Sequence, residues 1–376
     1  MGDSTMGLKG QTKWTPTTSH VMRLEHYETE RGERLDQVEI AYETCGTMNA
    51  NGTNVVLICH ALTGDAHAAD SKSRQGWWGP LIGPGRAIDT NRYFVVSSNV
   101  LGGCAGTTGP ASLIPGTDRV YGSKFPLITI RDMVHVQYYL LRQLGVRKLH
   151  AVLGGSMGGM QALEWPLLYP NDVARAVVIA ANPAFSAMGL AYNEVMRCAI
   201  QSDSNYLSGE YAAVSRFPED GMRIARMIGM ITYRTAQLFE QRFGRQFSSE
   251  QPLDAEVARY LRYQGDKFVA RFDAESYLTL LRAMDLHDIG EGRGGMRAAL
   301  QQIKADLLWI GIRDDLLYPP TEIRQAVELA RTCRVSATYA EIDSVYGHDA
   351  FLLEFEQLSE LIAPFLAVTN LDEQAL

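Results

Sequence analysis

The chain has 376 residues, 46% hydrophobic and 21% charged, with a formal charge of −8. That is long for one domain and short for three, and the composition is ordinary for a soluble globular enzyme. The acidic balance offers nothing to nucleic acid or to an anionic membrane surface.

The first twenty residues are polar, lack the apolar core of a secretion signal, and read as a flexible tail, residues 1–20. Met1-Gly2 opens like a myristoylation site, but position six is Met6 rather than Ser or Thr. Short apolar runs then alternate with helical patterns. Strands are expected at Val55–Cys59, Phe94–Ser97, Leu149–Leu153, Ala176–Ala180, Asp306–Ile312 and Ala337–Ile342, and helices at Ile130–Leu144 and Gln161–Leu168. Such alternation predicts an α/β protein with a mostly parallel, doubly wound sheet. From about Phe185 the pattern turns helical, with a stripe at Ile224, Met227, Ile228 and Ile231, and Arg223, Arg226 and Tyr233 on another face. This predicts an inserted helical lid, residues 185–297, between core segments 21–184 and 298–376. No apolar run is long enough to cross a bilayer. The five cysteines (Cys45, Cys59, Cys104, Cys198, Cys333) are odd in number, widely spaced and without CxxC, so a reducing, cytoplasmic setting is expected rather than a disulfide framework.

Four strand ends carry the chemistry. Gly154-Gly155-Ser156-Met157-Gly158 follows one strand and precedes a helix, the setting of G-x-S-x-G. The tight turn lifts the Ser156 hydroxyl above the sheet and aims the Met157 N–H at a developing oxyanion. His60-Ala61-Leu62-Thr63-Gly64 follows another strand, where an α/β-hydrolase takes its second oxyanion donor, here the Leu62 N–H. His60 and His67 read as structural packing, since no third ligand stands at metal spacing and no metal site is expected. Asp314-Asp315 ends the Asp306–Ile312 strand, and spacing alone does not choose between the two aspartates. Tyr346-Gly347-His348-Asp349 supplies a histidine on a glycine-bearing loop. The order Ser, Asp, His is that of an α/β-hydrolase triad. Gly290-Glu291-Gly292-Arg293-Gly294-Gly295 fits G-x-G-x-x-G but follows a helical pattern and is read as a loop. Gly102–Gly106 lacks the ending of a P-loop.

These residues give a serine acyl-transfer machine without a substrate. The sequence also resembles the homoserine O-acyltransferases of methionine biosynthesis. The resemblance is carried by His60–His67, Gly76-Trp77-Trp78, Asn99–Cys104, Gly109-Pro110, Gly155–Gln161 and Arg271-Phe272-Asp273, and runs from about Glu39 to Phe365. It implies Ser156 as nucleophile, His348 as base and Asp315, by the family's S/T-D-x-L pattern, as acid, although Asp314 replaces the usual Ser or Thr. It further implies that Arg226 and Asp349 bind the amino-acid substrate. The reaction would be transfer from acetyl-CoA, as co-substrate, to the hydroxyl of L-homoserine, by a homodimer joined through the lid helices, with no bound cofactor. Family members using succinyl-CoA carry an arginine where this chain has Leu317, so acetyl is expected; Arg313 is the nearest alternative cation. The alternatives are a homoserine or serine O-succinyltransferase, a serine esterase, and an inactive hydrolase fold serving as a binding module.

Overall fold

The computed structural model describes residues 17–248 and 254–367. Eight strands form one sheet: β1 (Thr18–Glu28), β2 (Arg34–Cys45), β3 (Val55–Cys59), β4 (Phe94–Ser98), β5 (Leu149–Gly155), β6 (Arg175–Ile179), β7 (Asp306–Ile312) and β8 (Ala337–Ile342). Their spatial order is β1-β2-β4-β3-β5-β6-β7-β8. The six from β3 onward run parallel, while β2 lies antiparallel to both β1 and β4. β3 and β6 are buried at every position, as strands covered on both faces must be.

The six expected strands are present, with ends shifted by two residues at most. The β1–β2 ribbon was not foreseen. It forms the sheet edge, and β1 buries only Met22 and Tyr27, so charged and polar residues dilute its alternation. Residues 18–20, expected in the tail, belong to β1; residues 1–16 lie outside those described.

Ten α-helices accompany the sheet among the described residues. α1 (Ile130–Gln143) starts on a capping box made by Thr129 and Asp132, and α2 (Met157–Leu168) leaves the end of β5. Between β6 and β7 come α3 (Ala187–Gln201), α4 (Glu219–Thr232), α5 (Ala236–Phe243), α6 (Glu256–Val269), α7 (Ala274–Asp285) and the short α8 (Met296–Leu300). α9 (Pro320–Thr332) and α10 (Phe355–Ala367) flank β8.

α4 carries the expected helical stripe, but the stripe is not its buried side. Ile224 and Ile231 are exposed, and the buried side is Met222, Ala225, Gly229 and Met230. The helix is packed through its small residues, which let backbones approach. A Cβ on Gly221 would stand 2.6 Å from the Ala199 carbonyl of α3, and one on Gly265 of α6 would stand 2.4 Å from Arg223 Cγ. α7 is buried almost all round and closes on the core, with the Thr279 methyl against Gly102. The Gly290–Gly295 segment is the loop after α7, where Arg293 pairs with the buried Glu164 at 2.6 Å. No described helix is long and apolar enough to cross a membrane.

Candidate active site

β5 ends in a turn that only particular residues can form. Ser156 sits at φ 56°, ψ −124°, a region that costs a non-glycine residue about 1–3 kcal/mol. Glycine is required at two neighbouring places by lack of room. A Cβ on Gly158 would lie 2.2 Å from the Cys59 carbonyl, and one on Gly154 would lie 2.2 Å from the Gly158 carbonyl. The strained serine thus stands between β5 and α2, and the Met157 amide opens the first helical turn.

The facing loop is braced from below. His60 is buried; its Nδ1–H donates to the Ala61 carbonyl at 2.8 Å, and its Nε2 accepts from the Val100 N–H at 3.1 Å. Asn99 Nδ2 also reaches His60 Nε2, at 3.1 Å. Burial holds the His60 pKa below its ordinary value, which fits a neutral structural ring. Gln161 Nε2 donates to both the His60 carbonyl (3.2 Å) and the Met157 carbonyl (3.1 Å). One buried amide therefore ties the Leu62 loop to the serine helix. The Leu62 and Met157 N–H groups donate to no protein acceptor among the described residues. His67, the other histidine of this loop, binds Glu43 at 2.8 Å and the Arg74 carbonyl at 3.1 Å.

After β7 the two aspartates separate. Asp314 takes the left-handed turn position, φ 59°, and is exposed, whereas Asp315 is buried. Asp315 Oδ2 accepts from His348 Nδ1 at 2.7 Å, and its Oδ1 accepts from the Leu317 N–H (2.8 Å) and Tyr318 N–H (3.0 Å). Leu317 itself is buried, while Arg313 is exposed and paired with Asp343.

His348 stands in an aromatic box. Tyr318 stacks on it at 5.3 Å, Phe351 meets it edge-on at 5.6 Å and Tyr233 lies at 5.6 Å. Phe351 fills the space beside Gly155, where a Cβ would lie 2.5 Å from its ring, and its carbonyl accepts from the buried Trp78 indole at 2.9 Å. The histidine loop is thereby seated over the serine turn. Burial opposes the imidazolium, but the Asp315 charge, its hydrogen bond and Asp349 outweigh this and raise the His348 pKa above 6.5.

Two residues were not found by sequence reasoning. Tyr318 is fully buried, its hydroxyl faces Ser156 without closing a well-formed hydrogen bond, and burial first and Asp315 second hold its phenol well above the ordinary value. Arg234 pairs with Asp349 at 3.1 Å. The only early signal for Tyr318 was its place three residues after Asp315; Arg234 gave none. The Arg234 segment docks on the histidine loop twice more, through Thr235 Oγ1 to the Val345 carbonyl (2.5 Å) and the Asp349 N–H to the Tyr233 carbonyl (3.2 Å). Asp349 therefore has a protein cation already, and its pKa is raised by burial against the lowering effect of Arg234, His348 and Arg226. Arg226 has no carboxylate partner among the described residues and lies 5.4 Å from the Phe268 ring centroid.

A strained serine on a strand–helix elbow, an aspartate-held histidine and two amides without a protein acceptor among the described residues are the parts that nucleophilic acyl transfer requires. The chain belongs to the alpha/beta hydrolase fold family, whose model matches residues 54–355. More narrowly, it belongs to the homoserine O-acetyltransferase family. It is 49% identical to the homoserine O-acetyltransferase of Carboxydothermus hydrogenoformans, over 90% of this chain and 92% of that one. It is 47% identical to that of Moorella thermoacetica, over 90% and 92%. Among solved structures, the homoserine O-acetyltransferase of Bacillus anthracis superposes with a TM-score of 0.90 at 29% identity, over 94% and 98%. Esterase E22 superposes with a TM-score of 0.87 at 31% identity, over 93% and 100%.

Proposed function

We propose that this protein transfers the acetyl group of acetyl-CoA to the hydroxyl of L-homoserine through an acetyl-Ser156 intermediate, as a step of methionine biosynthesis in the cytoplasm. The observation that carries the chemistry is the His348 Nδ1–Asp315 Oδ2 hydrogen bond of 2.7 Å beside the strained serine. In the first half-reaction His348 Nε2 takes the Ser156 proton, Oγ bonds the thioester carbon, and the C–S bond breaks as the proton passes to the CoA sulfur. The Leu62 and Met157 amides hold the oxyanion. In the second, His348 takes the homoserine hydroxyl proton, the homoserine oxygen bonds the acetyl carbon, and the Ser156 Oγ–C bond breaks as the proton passes to Oγ.

The acceptor must beat water. Orientation can do so, since fixed reactants reach effective molarities of about 10⁵–10⁸ M. We assign the orientation to Arg226, which is free to take the substrate carboxylate, and to Asp349 for the ammonium. Residues 185–297 would act as the lid that narrows access, and the exposed apolar residues of its helices would join two subunits. Leu317 offers no cation to a succinyl carboxylate, and Arg313 is engaged with Asp343, so acetyl is the favoured acyl group.

The likeness to esterase E22 favours a second reading, hydrolysis of a small ester by the same acetyl-serine. One experiment separates them. Enzyme with acetyl-CoA alone should release free thiol and gain one acetyl on the Ser156 peptide by mass spectrometry, and added L-homoserine should discharge it as O-acetylhomoserine. Succinyl-CoA should label the same peptide far more slowly. Label elsewhere, with Ser156→Ala fully active, would sink the mechanism; discharge to water alone would favour the esterase.

A further inference from the structure

Two guanidiniums reach one aromatic ring. Arg226 Cζ, from α4, lies 5.4 Å from the Phe268 ring centroid, and Arg271 Cζ, from the turn between α6 and α7, lies 5.6 Å from the same point. Phe268 is buried, with Phe272 stacked at 5.3 Å and Tyr277 edge-on at 5.3 Å, so the platform is rigid. Arg271 spends one N–H on the Thr63 carbonyl at 2.9 Å, which fixes it beside Leu62.

The nearby carboxylates are committed elsewhere. Asp273 caps α7 through the Ser276 N–H at 2.7 Å and accepts from Tyr211 at 2.5 Å. Asp65 is paired with Arg74 at 2.7 Å, and Asp349 with Arg234 at 3.1 Å. Neither Arg226 nor Arg271 forms an ion pair among the described residues. Two cations gathered at one ring repel, and the Arg271 pKa is held below its ordinary value by desolvation first and by the Arg226 charge second. An anion between them would relieve that repulsion and gain charge-assisted hydrogen bonds.

We propose that Arg271 is a second carboxylate-binding residue for the acceptor amino acid, holding the α-carboxylate jointly with Arg226. This rests on the homoserine reading above. The phosphates of acyl-CoA are a poorer candidate, because the pantetheine arm carries them far from the thioester, whereas Arg271 is bonded to the residue next to an oxyanion donor. The homoserine carboxylate lies only a short chain from the hydroxyl that must reach the acetyl-serine. The bond to Thr63 would then register the acceptor against the oxyanion loop.

The test is Arg271→Gln, which keeps an amide donor for Thr63, with the half-reactions measured separately. Acetylation of Ser156 by acetyl-CoA, read as the burst of free thiol, should stay within about twofold, and its amplitude counts folded sites. The KM for homoserine should rise roughly 10- to 100-fold, the loss of one hydrogen bond to a charged group. With 3-amino-1-propanol, which has the hydroxyl and ammonium but no carboxylate, variant and wild type should agree within about threefold. Arg271→Lys should recover part of the homoserine KM. An equal penalty on the carboxylate-free acceptor, or an equal slowing of acetylation, overturns the assignment and gives Arg271 to the loop or to CoA. Slowing confined to acetyl-CoA, and absent with the phosphate-free acetyl thioester of N-acetylcysteamine, would give it to the phosphates. Wild-type enzyme that passes acetyl only to water would sink the acceptor reading itself, a result distinct from normal wild-type transfer left unchanged in Arg271→Gln.

Discussion

Asp314 and Asp315 have the same side chain, and the backbone divides their labour. Asp314 absorbs the left-handed turn, φ 59°, which aspartate tolerates better than most residues. Its neighbour is thereby turned inward, where two amides and one imidazole use both carboxylate oxygens. Asp315→Asn should therefore cost several orders of magnitude in turnover, about 10⁴ by the precedent of triad acids, and Asp314→Asn less than tenfold. The same geometry fixes a pH dependence. His348 must be neutral to accept a proton, and its proton affinity is raised, so acetylation should rise with pH and reach half its plateau above pH 6.5. The stability contribution has the opposite sign. The protonated His348–Asp315 pair stabilises the fold fully below the unfolded value of 6.5, and that contribution is lost as pH rises through the higher folded value. Asp349→Asn removes one charge that raises it, so the acid limb of the rate profile should move to lower pH. Movement to higher pH, or none, in stopped-flow acetylation would contradict this account of the histidine.

At the scale of elements, glycine serves this fold in two ways that substitution can separate. Gly32 has φ 78° and open space around a built Cβ, so Gly32→Ala should cost about 1 kcal/mol through the backbone alone. Gly158 has no room, its Cβ falling on a backbone carbonyl of β3. Gly158→Ala should cost more, about 1–3 kcal/mol by urea unfolding, and should also slow acetylation because the serine turn must shift. If the two variants lost equal stability and kept full activity, the elbow would not be as tightly packed as described. The central strands were legible in the sequence because their apolar runs are buried on both faces, as with Val55–Cys59 and Asp306–Ile312. The Ser156, Asp315 and His348 positions stood out because each follows a strand in a fixed chain order, and the structure joins His348 to Asp315. The β1–β2 ribbon was not, since an edge strand such as β1, with two buried residues, carries little periodic signal. The buried side of α4 carries little signal for the converse reason. Its packing relies on Ala225 and Gly229, which no hydrophobicity pattern marks, while the larger Ile224 and Ile231 face outward. Arg234 was invisible because its partner Asp349 lies 115 positions later in the chain.

For the whole molecule, the outward isoleucines raise the question of what covers them. Ile224 and Ile231 of α4 are 49% and 51% exposed, and Met188 and Val195 of α3 are 57% and 54% exposed. Each pair is seven residues apart and so lies on one face of its helix, and α3 packs against α4. Exposed large aliphatics on two adjoining helices are the kind of surface that marks an interface. The proposed homodimer through the lid would bury them, and would do so around a second copy of the same helices, as a two-fold interface requires. Ile231→Lys combined with Val195→Lys puts four charges into such an interface, two per subunit. Sedimentation equilibrium should then shift from a species of twice 41.7 kDa for the wild type to one of 41.7 kDa for the variant. Because α4 also carries Arg226 and runs directly into the Arg234 segment that docks on the His348 loop, loss of the dimer should raise the KM for homoserine more than it slows acetylation. A wild type that sediments as a monomer would remove the dimer. A variant that becomes monomeric with both half-reactions unchanged would show that lid and subunit contact are mechanically independent.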